Sequence, residues 1–202
     1  MDFTTIEYYS HFLPATLIAV FMLGYRKRNT QISLLLVSSY AFFWFASGWH
    51  VILLLISTLL EWNVSNKIHS SDDSSVKKRW LTLSMVINLG LLGIFKYLDL
   101  IIESLNWATL KIGVSPSIEA MGLILPVGIS FYTFQTMSYT IDIYRGKYKP
   151  YDNFTSFACY AAFFPQLVAG PIVRADHFKE QISKPISLQS NSFRFGITLI
   201  IL

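Results

Sequence analysis

The stretch FFPQLVAGPIVRADHF, Phe163–Phe178, decides how this chain is folded. It is apolar enough to enter a bilayer, yet it carries Pro165, Gln166, Gly170 and Pro171 and then Arg174. The apolar run that contains most of it, 154–173, has Arg145, Lys147 and Lys149 before it and Arg174, Lys179 and Lys184 after it. Short loops rich in Lys and Arg face the cytoplasm. With such loops at both ends the run is not a simple crossing, and it is predicted to enter the membrane and turn back. Proline removes a backbone donor and glycine tolerates positive φ, so Pro165, Gly170 and Pro171 are the residues that permit the turn. Irregular backbone survives at membrane depth only where protein buries it or where it lines a water-filled cavity. A re-entrant segment therefore implies a cavity; a kinked ordinary span is the alternative reading.

The rest of the chain agrees with a membrane setting. Its 202 residues are 53% hydrophobic and only 14% charged, against about 25% charged in soluble domains, and the mean hydropathy is +0.46. A crossing needs about 20 mostly apolar residues. Five segments are predicted to provide one: 8–25, 32–46, 49–62, 81–102 and 122–143, with a further span starting about 193. FASGWH, 45–50, breaks the second from the third. Arg26, Lys27 and Arg28 follow the first span, Lys67, Lys77, Lys78 and Arg79 lie between the third and fourth, and Arg145, Lys147 and Lys149 follow the fifth, which accounts for ten of the 16 basic residues. Only Lys111 falls in the loop after the fourth. The alternation places the N-terminus outside a cytoplasmic (inner) membrane.

The net charge of +4 is thereby explained by topology. No basic stripe interleaved with exposed aromatics accompanies it, which argues against a nucleic-acid partner. Cys159 is the only cysteine, so neither a disulfide framework nor a cysteine metal site is available. Asp2 and Glu7 occupy the place where a signal peptide carries bases, and the first span reads as retained. SFRFGITLIIL, 192–202, opens an apolar run, and the chain reads as a fragment of a longer membrane protein.

Ionisable and polar groups inside the spans are the functional candidates. Lys96 and Asp99 are three apart, which places them on one helix face, as either a cavity charge or an internal pair. Asp142 and Arg145 share that spacing at the inner end of the fifth span. Ser130, Thr133 and Gln135 lie deeper, where interhelical hydrogen bonding is the simpler role. His11, His50, His69 and His177 show no nucleophile–base or metal-ligand spacing, and no metal site is expected.

Three blocks carry a family resemblance. VINLGLLGIFKYLD (Val86–Asp99), ILPVGISFYTFQTMSYTIDIYRG (Ile124–Gly146) and FFPQLVAGPIVRADHF are similar to the membrane-bound O-acyltransferase (MBOAT) family, in its bacterial alginate O-acetylation branch. EWNVSNKI, 61–68, departs from the family's D-Y-x-x-G-like stretch. The resemblance implies a polytopic all-α bundle around a funnel, which passes an acetyl group across the membrane to hydroxyls of an extracytoplasmic polysaccharide. The donor would be acetyl-CoA or an acyl-carrier, with no resident cofactor. The acceptor would be the polysaccharide itself or a partner extracytoplasmic O-acetyltransferase. Lys96, Gln135, Asp142, Arg145, Pro165, Gln166, Gly170, Pro171 and Arg174 would line the cavity or its scaffold. The family's essential histidine would lie beyond Leu202, leaving no catalytic residue in this chain. A transporter or channel, a non-catalytic scaffold for a soluble acetyltransferase, and D-alanylation of teichoic acid are the competing readings.

Overall fold

The computed structural model describes residues 5–25, 27–113, 118–169, 173–183 and Thr198, and all its regular elements are helical. They are α1 Tyr8–Leu23, with π-helical turns at Tyr8–Phe12 and Ala19–Leu23, α2 Arg28–Ser47, α3 Val51–Ser70, α4 Ser74–Lys111, α5 Ile129–Tyr144, α6 Phe154–Ala162, α7 Phe164–Ala169 and α8 Ala175–Gln181. The segment expected from about 193 lies outside the described residues, apart from Thr198.

Local chemistry sets the boundaries. Gly48, at φ 59°, stops α2, and a single 3₁₀ turn, Gly48–His50, starts α3 in the reverse direction. Ile32 near the start of α2 shares a cluster with Val64 and Ile68 near the end of α3, while Phe43 packs with Val51 and Leu54 beside the turn. The two helices are thus an antiparallel pair. The loop expected over 66–80 shrinks to 71–73, because α3 runs on to Ser70 and α4 starts at Ser74, where Asp73 accepts a hydrogen bond from the Ser75 N–H at 2.7 Å. At 38 residues, α4 rises about 57 Å, well beyond a hydrocarbon core of roughly 30 Å.

The fifth segment, expected over 122–143, becomes helical only at Ile129. Pro126 lies too close to the start for an earlier helix, and 118–126 runs along α4 without regular structure. Asp99 holds it there by accepting from the N–H groups of Met121 and Leu123 at 2.8 and 2.9 Å. Gly128 then turns the chain into α5 at φ 74°, and a Cβ there would stand 3.0 Å from the Leu167 carbonyl oxygen of α7. Left-handed φ and close backbone approach both demand glycine here.

Large apolar side chains face outward as well as inward, and polar ones are buried among them. Val37, Trp44, Ile56, Val86 and Leu100 point outward, while Glu61, Ser84, Asn88, Gln135 and Thr140 are buried. Two helical stretches, Arg28–Ser70 (which the Gly48 turn divides) and Ser74–Lys111, each contain an 18-residue window with a mean hydropathy of 1.8 and have the length to cross a membrane.

The broken segment sits at the centre. Residues Phe157–Ala162 of α6 are completely buried. The helix ends at Phe163, whose ψ of 105° leaves the helical region. The break frees backbone groups that lipid cannot satisfy. Ser39 of α2 accepts from the Phe164 N–H at 3.2 Å, and Gln135 of α5 donates from Nε2 to the Tyr160 carbonyl at 2.8 Å. Pro165 falls in the first turn of α7, where its missing N–H has no helical acceptor to lose. Six residues of α7 after nine of α6 rise about 22 Å, short of a full crossing.

By Ala175 the chain is back where it entered. The Tyr151 hydroxyl, just before α6, donates to the Ala175 carbonyl at 2.9 Å, and that of Tyr160 donates to Val173 at 3.2 Å. Lys179 pairs with Asp152 at 3.4 Å, and Arg28 Nε donates to the Ile182 carbonyl at 2.6 Å. Entry and exit therefore both contact the end of the bundle that carries Arg28. Gly170 and Pro171, expected to make its turn, lie outside the described residues.

Ser39→Ala and Gln135→Leu are each expected to cost about 1–3 kcal/mol, the penalty of an unsatisfied buried backbone group. Gly128→Ala should cost at least about 1–2 kcal/mol. Equilibrium unfolding of the full-length protein in mixed micelles measures all three, and wild-type stability in the first two would show that the break has other support.

Candidate functional site

Three helices bring a stripe of polar groups into the apolar bundle. On α3, Ser57, Glu61 and Ser65 recur every fourth residue, and Ser84 and Asn88 do so on α4. On α5 the stripe is Thr133, Thr136 and Thr140. Four-residue spacing stacks side chains on one helix face, and all eight are buried.

Glu61 is the hub, with no exposed surface. Its Oε1 accepts from Ser84 Oγ at 2.6 Å and from Asn88 Nδ2, and its Oε2 accepts from Thr140 Oγ1. Asn88 Nδ2 also reaches the Ser84 carbonyl at 2.9 Å, and Asn88 Oδ1 accepts from Ser57 Oγ at 3.3 Å. One carboxyl group thus ties α3, α4 and α5 together. The ion pairs among the described residues join Lys147 to Asp142 and Lys179 to Asp152, and neither involves Glu61.

Among the described residues, Tyr132 Oη, Thr133 Oγ1 and Gln135 Oε1 on α5, Ser156 Oγ on α6 and Tyr40 Oη on α2 are buried oxygens without a hydrogen-bond partner. Buried polar atoms are normally hydrogen-bonded. Such oxygens have capacity left to bond water or the hydroxyls of a ligand.

The sequence candidates are distributed differently. Gln135 is buried and braces the hairpin break, and Gln166 is buried on α7. Pro165 and Arg174 are exposed, Arg174 as the residue preceding α8. Lys96 is also exposed, with its ammonium 5.4 Å from the Tyr97 ring centroid. The ion pair with Asp99 does not form; Asp99 instead accepts from the Met121 and Leu123 N–H groups. Asp142 likewise pairs with Lys147 at 2.7 Å, while Arg145 is exposed. Gly170 and Pro171 lie outside the described residues.

None of the four histidines forms a catalytic arrangement. His50 is buried at the α2–α3 turn, with Nδ1 2.7 Å from the Ser47 carbonyl and its ring stacked on Trp49. His11 contacts Ser10 at 2.7 Å, and His69 and His177 are exposed. No group of three His, Cys, Asp or Glu able to hold a metal occurs among the described residues. Outside the spans, burial above all, helped by neighbouring phenols, pushes the Tyr148 and Tyr151 hydroxyls well above their usual range, so both remain neutral donors.

Sequence reasoning missed Glu61, Tyr40 and Tyr132. Glu61 had been placed at the edge of a span ending near 62, where a carboxylate needs no explanation. The signal was the polar stripe at four-residue spacing in three separate apolar helices.

The outward apolar side chains and the buried polar stripe define the class, an all-α membrane protein. Comparison narrows it. The chain is 35% identical over 187 residues to the probable alginate O-acetylase AlgI of Pseudomonas aeruginosa, covering 91% of this chain and 35% of that protein. For its Pseudomonas putida counterpart the figures are 36% over 187 residues, 91% and 37%. For the peptidoglycan O-acetyltransferase of Helicobacter pylori they are 30% over 207 residues, 89% and 38%. No family model and no solved structure matches. The chain is a relative of the alginate O-acetylases and, through them, of the membrane-bound O-acyltransferase family. It spans little more than a third of the length of the curated relatives it matches.

Removing the hub carboxyl strands three buried donors. Glu61→Ala is expected to lower stability by about 3 kcal/mol or more, within the range for a broken buried network, and Glu61→Gln by clearly less, since it retains an acceptor oxygen. Unfolding midpoints of the full-length protein in detergent decide this, and equal midpoints for wild type and Glu61→Ala would remove Glu61 from the centre of the fold.

Proposed function

We propose that this chain forms part of a membrane-bound O-acyltransferase that passes an acetyl group across the inner membrane to the hydroxyls of an extracytoplasmic polysaccharide. The observation that carries this reading is the similarity, at 30–36% identity over about nine-tenths of the chain, to proteins whose names share one chemistry, O-acetylation, on two different glycan acceptors. The geometry supports it. Polar groups with spare hydrogen-bonding capacity sit inside a shell that lipid can solvate, where an acetyl acceptor or its water could be held.

In this reading the described residues bind and position. Gln166, on the re-entrant hairpin, and Tyr40, Tyr132 and Gln135 form the polar wall, and the hairpin break keeps that wall in register. The donor is acetyl-CoA or an acyl-carrier, arriving at the basic end, and the acceptor is the polysaccharide or a partner extracytoplasmic O-acetyltransferase. The basic end faces the cytoplasm, as its Lys and Arg content directs, and the N-terminus faces out.

The test is complementation. Cells lacking polysaccharide O-acetylation, supplied with the full-length protein, should regain base-labile acetate on the polymer. Gln166→Ala and Tyr132→Phe should lower that acetate by about tenfold, the cost of one polar positioning contact of about 1.4 kcal/mol. Full acetylation with both variants would sink the assignment of this wall, and solute movement without acetate transfer would sink the acyltransferase reading.

A further inference from the structure

The positive-inside rule asks only that basic residues lie on one side of the membrane. It does not ask that they converge. Here they do. A cavity of about 410 Å³ opens at the Arg28 end of the bundle, between the connection from α3 to α4 and the one from α5 to α6. His69 and Lys77 reach it from the first, and Lys147 and Lys149 from the second. Ile68 and Ile143 supply an apolar floor, Tyr148 forms a wall, and no acidic residue lines it. Asp142 is withdrawn into its pair with Lys147, which leaves the charges of Lys77 and Lys149 uncompensated in the lining.

Both connections are shaped, so the convergence is not an accident of loose loops. Asp73 caps α4 one turn before Lys77. Gly146, at φ 70°, folds the second connection back, and the Lys147 N–H donates to the Asp142 carbonyl at 3.0 Å. A smaller cavity of about 180 Å³ shares Tyr148 and Lys149 and adds Tyr151, Lys179 and Asp176; with that carboxylate in its lining and Lys179 paired to Asp152, the excess of positive charge stays in the larger cavity. Like charges gathered around one hollow repel each other, and an anion placed among them relieves that cost. Lysine ammoniums reaching one point from separate segments suit a phosphate group, which accepts several charge-assisted hydrogen bonds at once.

We propose that this cavity is a binding site for a phosphate group, borne either by an anionic lipid headgroup or by a soluble phosphorylated ligand. The site does not depend on the acyl-transfer reading, since its readout is binding alone.

The experiment uses the full-length protein in phosphatidylcholine nanodiscs, in two arms. Coenzyme A is titrated calorimetrically as the soluble probe. In the other arm the discs are doped with phosphatidylglycerol, and lipid retained on the protein is counted by native mass spectrometry. At least one probe should bind, and the arm that responds identifies the source. Lys77→Gln combined with Lys149→Gln should weaken that binding by about tenfold or more, and raising salt from about 50 to 300 mM should weaken it in the wild type. Lys77→Arg combined with Lys149→Arg keeps the charge and should bind within about threefold of wild type. Lys111→Gln, at the far end of α4, should change nothing. Binding of neither probe, wild-type binding by the glutamine double variant, or equal loss in both double variants would overturn the proposal.

Discussion

A backbone N–H or C=O that loses its helical partner in water finds a solvent molecule, and in lipid it finds nothing. That constraint organises this protein. The 154–169 segment breaks between Ala162 and Phe164, and the orphaned groups are met by Ser39 from one side and Gln135 from the other. Neither contact forms unless α2 and α5 flank the hairpin at the right height. The hairpin therefore prescribes the positions of its neighbours, and the antiparallel turn at Gly48 and the left-handed entry to α5 at Gly128 follow from that demand.

The same economy governs the polar interior. Where lipid surrounds the bundle, apolar contact alone gives helices little reason to associate, and small polar residues hold them together. Glu61, Ser84, Asn88 and Thr140 do this for three helices at once. Beside them, Tyr132, Thr133 and Gln135 keep oxygen atoms unspent. A saturated cluster that builds the frame thus adjoins an unsaturated one that can serve a ligand, both on α5. Such a division leaves one part of the interior to hold the helices together and another able to bond a ligand.

Much of this was readable in the chain. Pro165 signalled that 154–173 is not one continuous helix, and the break falls two residues before it, at Phe163. The spacing of apolar runs anticipated most helices, although α3 and α4 extend well past the apolar limits, since Ser, Asn and Lys near helix ends remain compatible with helix once membrane depth no longer matters. What could not be read was partnership. Lys96 and Asp99 share a helix face, yet Asp99 serves backbone donors 22 and 24 residues away. Glu61 looked interfacial because hydropathy averages over a window and ignores which face a residue occupies. Gln135 was visible as polar and deep, but the carbonyl it serves belongs to a segment 25 residues later.

The hairpin is pinned at three places within a few residues: the Tyr160 carbonyl on Gln135, the Phe164 N–H on Ser39, and the Leu167 carbonyl against Gly128. Each helical residue turns the chain by about 100°. One residue added or removed between Tyr160 and Phe164 would swing the Phe164 N–H or the Tyr160 carbonyl away from its partner. The segment is consequently fixed in length. Insertions and deletions should be rare there and gather instead in the connections between helices.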